Sequence, residues 1–245
     1  MLRYFFAPFA PFCGYNRVLT FSMKFDLHMH SRFSPDSGSC PKGIVERALQ
    51  LGYGLIAITD HDSDAEAFDW LVRENVLTPA GMVRAEWAKE RGFVAAKLRV
   101  LPGQEISTDT GHLLCLIARI EPCWGIDAGE AVAAIHAQGG VAIPAHPFDR
   151  RRASFDEEEL DTLPFDAIEV VNGGATNHQV NALAQALAKR HGLPGVANSD
   201  GHTIGQIGRC ISVVVGVGVW VLAELLKKPI KTFAGAIEPR VVEFT

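Results

Sequence analysis

Histidines and carboxylates gather in four short stretches of this 245-residue chain: Asp26-Leu27-His28-Met29-His30-Ser31, Thr59-Asp60-His61-Asp62, Ala145-His146-Pro147 and Ser199-Asp200-Gly201-His202. Imidazole nitrogen and carboxylate oxygen together suit zinc, manganese or iron. Residues two apart on an extended chain face the same way, so His28 and His30 can share one cavity, as can Asp200 and His202. Each stretch closes an apolar run, the pattern of a strand's carboxyl end. Four such pieces, scattered over the chain, describe a metal centre assembled at one end of a barrel or sheet. Two or three divalent ions there would create a hydroxide nucleophile near neutral pH and clamp phosphoryl oxygens. A carboxylate such as Glu105 can bridge two of them.

The elements that must position these groups alternate along the chain. Strand patterns run over 24–30, 54–59, 98–106, 112–118, 141–145, 167–172, 193–199 and 210–217. Helix patterns run from Pro41 to a stop at Gly52, then over 64–75, 80–91, 128–138 behind the cap Asp127, 155–163, 179–191 and 220–228. Residues 98–106 and 112–118 pair as a hairpin through Asp109-Thr110-Gly111. Strands alternating with helices predict an α/β fold with a mostly parallel sheet. Closure into a barrel of about seven strands would gather the strand ends on one rim.

Bulk properties narrow the function classes. Hydrophobic residues at 48% and charged ones at 21% suit a globular enzyme with a large core. A net charge of −5 argues against stable binding to duplex nucleic acid, which needs a basic footprint. No apolar run reaches the ~18 residues of a membrane span. The five cysteines form no C-x-x-C pair and read as buried free thiols in a reducing cytoplasm. Residues 1–22 read as a disordered extension or a misassigned start, because Met23 directly precedes the first strand; residues 23–245 then form one domain. His136, His178 and His191 lie on or at the start of helices, away from strand ends, and read as ordinary polar residues. Trp70, Trp87 and Trp124 read as packing residues.

Beyond the four stretches, Pro102-Gly103-Gln104-Glu105-Ile106 and Gly111-His112-Leu113 complete an ordered set. With them the chain, from Met23 onward, resembles the PHP (polymerase and histidinol phosphatase) family of metal-dependent phosphoesterases. The resemblance implies a distorted, TIM-like (β/α)7 barrel. It implies a centre in which His28, His30, Glu105 and Asp200 hold one ion, and Asp36, His61 and His202 a second. Glu105 would bridge to a third ion held by His112 and His146. At the Asp36 position many relatives carry histidine, whereas small nucleotide- and RNA-acting members carry aspartate, so the chain resembles the latter.

Phosphate also needs cationic partners, and guanidinium suits its oxygens. Arg150, four residues after His146, and Arg209, shortly after His202, are the candidates, with pairing to a surface carboxylate as the bland alternative. Asp62 is a candidate for proton transfer or for a structural hydrogen bond. The sequence thus points to a hydrolase of phosphoester bonds using manganese, zinc or iron. Its expected substrates are small: a phosphomonoester, a nucleotide, or a short RNA or DNA end. Two alternatives stand beside it: an amidohydrolase-type enzyme cleaving carbon–nitrogen bonds at the same centre, and a non-catalytic metal-binding module.

Overall fold

The computed structural model describes residues 22–175, 177–215 and 237–241. The N-terminal extension and the helix expected over 220–228 lie outside these residues. The fold is mixed α/β. Strands β1 (Ser22–Asp26), β2 (Tyr53–Ile58), β3 (Arg99–Ser107), β4 (His112–Leu116), β5 (Val141–Pro144), β8 (Cys210–Val215) and β9 (Ile237–Val241) form one sheet in the order β5-β4-β3-β2-β1-β8-β9. Strands β6 (Ile168–Asn172) and β7 (Gly195–Asn198) form a separate parallel pair. The expected hairpin is β3–β4, in antiparallel register with Ser107 opposite His112. β8 runs antiparallel to β1, so the sheet is only partly parallel.

The β6–β7 pair meets the larger sheet through a main-chain bond and side-chain bonds at two seams. At one seam the main-chain N–H of Asp166 donates to Ala142 O (3.0 Å), and Ala142 N–H donates to the Asp166 carboxylate (2.8 Å). At the other, the Ser212 hydroxyl accepts from Ala197 N–H (2.7 Å) and donates to Ala197 O (3.1 Å). Each side chain satisfies main-chain groups that would otherwise be buried without partners.

Alternation along the strands builds the interior. Met23 and Phe25, Leu55 and Ala57, Leu101, Leu114 and Leu116, Val141 and Ile143, Ala167 and Val196 pack into one core. Followed two residues at a time toward the rim, the same faces turn polar: Leu101 leads through Gly103 to Glu105, Leu114 back to His112, Ala167 to Glu169, and Val196 to Asn198. An apolar floor therefore carries a charged upper layer.

The helices pack outside. Pro41 opens α1 (Pro41–Gln50), and Glu66–Arg73 forms α2. The Asp127 carboxylate caps α4 (Ala128–Ala137) by accepting from Glu130 N–H at 2.8 Å, as expected. Asp156 and Glu159 form a capping box on α5 (Glu157–Thr162), and Gly192 ends α6 (His178–His191) in the left-handed region. The helix expected over 80–91 shrinks to α3 (Ala85–Lys89). Gly81, at φ +80°, breaks the helical path, while bridges Leu77–Val83 and Met82–Arg99 draw the preceding residues into extended pairing. Trp124 is 84% exposed rather than packed. Among the described cysteines, Cys115 and Cys210 are buried free thiols, but Cys40 and Cys123 are exposed. No helix among the described residues is long and apolar enough to cross a membrane.

Candidate metal centre

The strand ends deliver the expected groups to one rim. His28 and His30 follow β1, His61 follows β2, His146 follows β5, and Asp200 and His202 follow β7. Because β4 runs back against β3, its first residue, His112, lies beside Glu105 on the same rim.

Glu105 is the hub. Its Oε2 lies 3.0 Å from His28 Nε2, 3.1 Å from His30 Nε2 and 3.4 Å from His61 Nδ1. Its Oε1 lies 3.0 Å from His112 Nδ1 and 3.1 Å from His146 Nε2. Asp200 Oδ1 approaches the same nitrogens of His28 and His30, at 3.4 and 3.3 Å. At the outer edge Asp36 Oδ2 faces His202 Nε2 at 2.9 Å and His61 Nε2 at 3.5 Å, and the Ser34 hydroxyl donates to Asp36 Oδ1 at 2.7 Å. His61 thus links two groups, one nitrogen toward Glu105 and the other toward Asp36.

Three sets of donor atoms lie within 4.8 Å of one another: His28, His30 and Glu105; His30, Asp36, His61 and His202; and His61, Glu105 and His112. These sets hold seven of the nine expected ligand residues, and the other two, His146 and Asp200, lie 3.1 Å from Glu105 and 3.3 Å from His30. The donor chemistry also suits cations. His30 Nε2 and His112 Nδ1 are buried with no hydrogen-bond partner, although each sits 3.0–3.1 Å from a Glu105 oxygen. A nitrogen and a carboxylate held that close need a proton or a cation between them.

Charges in the site are strongly coupled. Burial opposes ionisation of Glu105, but the His28 charge and the His112 and His146 imidazoles hold it well below the usual carboxylate range. Burial likewise opposes the proton on His28, yet Glu105, Asp200 and Glu169 raise it well above an ordinary histidine. Burial also works against Asp200, and the His28 charge and His30 outweigh it. Asp26, wholly buried below His28, is pushed up to about 7 by burial, against hydrogen bonds from Ser199 and His28.

Several residues missed in the sequence hold the ligands in place. Glu169 is the chief one. Its Oε1 lies 3.0 Å from His28 Nδ1 and accepts from the Asn198 amide at 2.8 Å. Its Oε2 accepts from His146 N–H at 2.6 Å and from the Asn172 amide at 2.8 Å. A carboxylate within the apolar run Ala167-Ile168-Glu169-Val170-Val171 was the available signal. Asp60 accepts from Ser31 N–H and hydroxyl at 2.5 and 2.7 Å, tying the loop after β1 to the loop after β2.

The arginine beside the centre is Arg152. It shares a cavity of about 300 Å³ with Asp36, His61, Glu105, His112, His146, Asp200 and His202. Its Nη1 pairs with Asp200 Oδ2, and its Nε lies 3.7 Å from Asp149. Arg150 and Arg209 are exposed and do not line this cavity. Asp62 is structural here: its carboxylate accepts from Ser107 N–H at 2.8 Å, and its own N–H donates to Glu105 O at 2.9 Å, which fixes the hub strand. Asp62, His146, Phe148 and Asp200, in the loops that carry the site, hold positive φ, as do Ala65, Asn75 and Ile117 elsewhere. His136 and His191 pair with Asp166 and Asp161, each at 2.8 Å, well outside it.

A strand-rim cluster of imidazoles around a bridging carboxylate defines a class of metal-dependent hydrolases, and comparisons with known proteins give the family. A PHP domain profile matches residues 26–131, and a PHP-associated one matches residues 178–227. The chain belongs to the PHP family. An uncharacterised protein of Methanocaldococcus jannaschii is 30% identical over 172 residues, 66% of this chain and 89% of the relative. Among solved structures, a two-domain protein of Bacteroides vulgatus containing a predicted PHP-like metal-dependent phosphoesterase superposes with a TM-score of 0.66 at 19% identity, over 91% of this chain and 65% of that one. The lesion-specific endonuclease Q of Pyrococcus furiosus superposes at 0.61 with 18% identity, over 88% of this chain and 57% of that one. At these identities the likeness is one of fold.

Proposed function

We propose that residues 23–245 form a PHP-type phosphoesterase that hydrolyses small phosphorylated substrates: phosphomonoesters, nucleotides or short oligonucleotide ends. We read the two sheets, nine strands together, as parts of one distorted barrel of the (β/α)7 type interrupted at its seams. The observation that carries the function is Glu105, a buried carboxylate facing five imidazoles at the floor of a cavity that also holds Arg152.

His28, His30, Glu105 and Asp200 would hold one divalent ion, Asp36, His61 and His202 a second, and Glu105, His112 and His146 a third; manganese, zinc and iron all suit these donors. Bound there, such ions supply the Lewis acidity that lowers the pKa of water and neutralises phosphoryl charge. The protein's own part is positioning. Asp200 turns Oδ1 to the imidazoles and Oδ2 to Arg152, which places a guanidinium within reach of a phosphoryl group seated over the same carboxylate. Arg152 would bind and orient that group bidentately. The cavity favours a compact phosphorylated group over duplex, in keeping with the acidic net charge of −5.

Elemental analysis combined with a phosphate-release screen over phosphorylated metabolites, nucleotides and short RNAs tests the assignment. His61→Ala and Asp200→Ala should each abolish release while circular dichroism shows an intact fold. Hydrolysis of amides without phosphate release would overturn it in favour of carbon–nitrogen chemistry.

A further inference from the structure

Two glycines follow β6, and the second lies against Arg152 and Asp200, which line the cavity. A Cβ on Gly174 would strike Arg152 Nη2 and come within 3.1 Å of both Asp200 Oδ2 and Asn172 Oδ1. Gly174 N–H donates to Asn172 Oδ1 at 2.8 Å, and the Asn172 amide in turn donates to Asp200 Oδ2 at 3.1 Å and Glu169 Oε2 at 2.8 Å. The turn is therefore tied to the carboxylate that Arg152 grips.

We propose that Gly174 is a positioning residue for phosphate recognition: its missing side chain is the space through which the Arg152 guanidinium reaches Asp200. This rests on Arg152 binding the phosphoryl group, as proposed above. The adjoining glycine serves a different purpose. A Cβ on Gly173 would come within 2.7 Å of Ser199 O, a main-chain atom that cannot yield without moving β7. At Gly174 the nearest obstacle is the far end of a flexible side chain. An added methyl there displaces the guanidinium and leaves the backbone in place. Asp149, 3.7 Å from Arg152 Nε, is the remaining carboxylate to which the displaced group can turn.

The test compares Gly174→Ala, Arg152→Ala, Arg152→Lys and the double variants as full-length, metal-loaded proteins. The readouts are the inhibition constant of inorganic phosphate and the separate KM and kcat of a phosphomonoester. A charge-assisted contact to phosphate is worth roughly tenfold or more in affinity. Gly174→Ala should raise the inhibition constant and KM by about that factor, and should add nothing in the Arg152→Ala background. Arg152→Lys, whose slimmer ammonium clears the methyl, should bind phosphate equally well with glycine or alanine at 174. Phosphate binding weakened by Arg152→Ala but untouched by Gly174→Ala would overturn the inference alone. An additive double variant would also overturn it, since general damage to the turn adds to the loss of the arginine. If Arg152→Ala itself left phosphate affinity unchanged, the phosphate-clamp reading would fall first.

Discussion

The centre has a buried half and an open half, and they are built differently. His28, His30, Glu105, His146 and Asp200 are at most 4% exposed. Asp36, His202, His112 and His61 have side chains 47, 27, 18 and 17% exposed. In the buried half several ligands have a second partner behind them: Glu169 behind the His28 imidazole and the His146 main-chain N–H, Asn172 and Arg152 behind Asp200. In the open half His112 opens β4, Ser34 stands behind Asp36, and the Asp200 carbonyl lies 3.0 Å from His202 Nδ1. Burial raises the cost of an unpaired charge, so the inner charged groups draw more supporting partners than the outer ones, which face the opening. The inner half should therefore govern assembly, and the outer half turnover.

The sharpest way to break that contrast is at the hub. Glu105→Gln removes the charge shared by five imidazoles, so turnover should fall by at least about 10³-fold, and bound metal measured by elemental analysis should fall by more than one ion per chain. Loss of a single ion would mean that the two halves do not share Glu105. One layer out, Glu169→Gln keeps the shape but weakens the acceptor that fixes His28 Nδ1–H and leaves Nε2 free as a ligand. Such partners are typically worth 10- to 100-fold in metal affinity. Competition with a chelating dye should show that loss at the tightest site, with little change in KM at saturating metal. A rise in KM instead would place Glu169 in substrate binding.

Asp36→Ala probes the open half and should do less. Its carboxyl is held below the usual range: burial opposes this, but the Ser34 hydroxyl and then the His202 and His61 charges prevail. Its removal should cost one weakly held ion and lower turnover at limiting metal, with partial recovery in excess metal. The folded state should be nearly as stable as the parent in thermal melts. A melting loss as large as that of a buried ligand would erase the distinction between the halves.

Strand-end groups two residues apart, His28 with His30 and Asp200 with His202, stand out against apolar runs in the sequence, whereas Asp36 and His112 came only with the family resemblance. The sequence did not show the bracing layer. Glu169 and Asn198 are single polar residues whose meaning depends on the inward register of β6 and β7, and that register is set by neighbours distant in the chain. Arg152 was missed in favour of Arg150 because a loop with positive φ at His146 and Phe148 turns the chain before the arginines. Offset from the histidine therefore does not say which one faces inward. Asp62 was caught as a polar neighbour of His61, but its partner, Ser107 N–H, lies 45 residues away.

The smallest expected effect separates the halves by pH in metal-free protein. Burial disfavours the charged form of His30, but the Asp200 and Glu105 carboxylates outweigh it and push the imidazole from 6.5 to about 9. His61, nearer the opening, is shifted down: burial, joined by the neighbouring His30 and His112 charges, outweighs the pull of Glu105 and Asp36. A group that binds its proton more tightly when folded stabilises the fold fully below its unfolded value, and that stabilisation fades as pH climbs through the folded value. Chelator-treated protein should therefore lose melting temperature between about pH 6.5 and 9 as His30 gives up its proton. His61 acts oppositely and lower, costing stability as pH falls below its unfolded value. With metal bound the ligating imidazoles are already neutral, so the alkaline decline should vanish in loaded protein. A decline of equal size in both forms would assign it to groups outside the centre. An alkaline decline that persisted in chelated His30→Gln protein would assign it to the other raised imidazole of the buried half, His28.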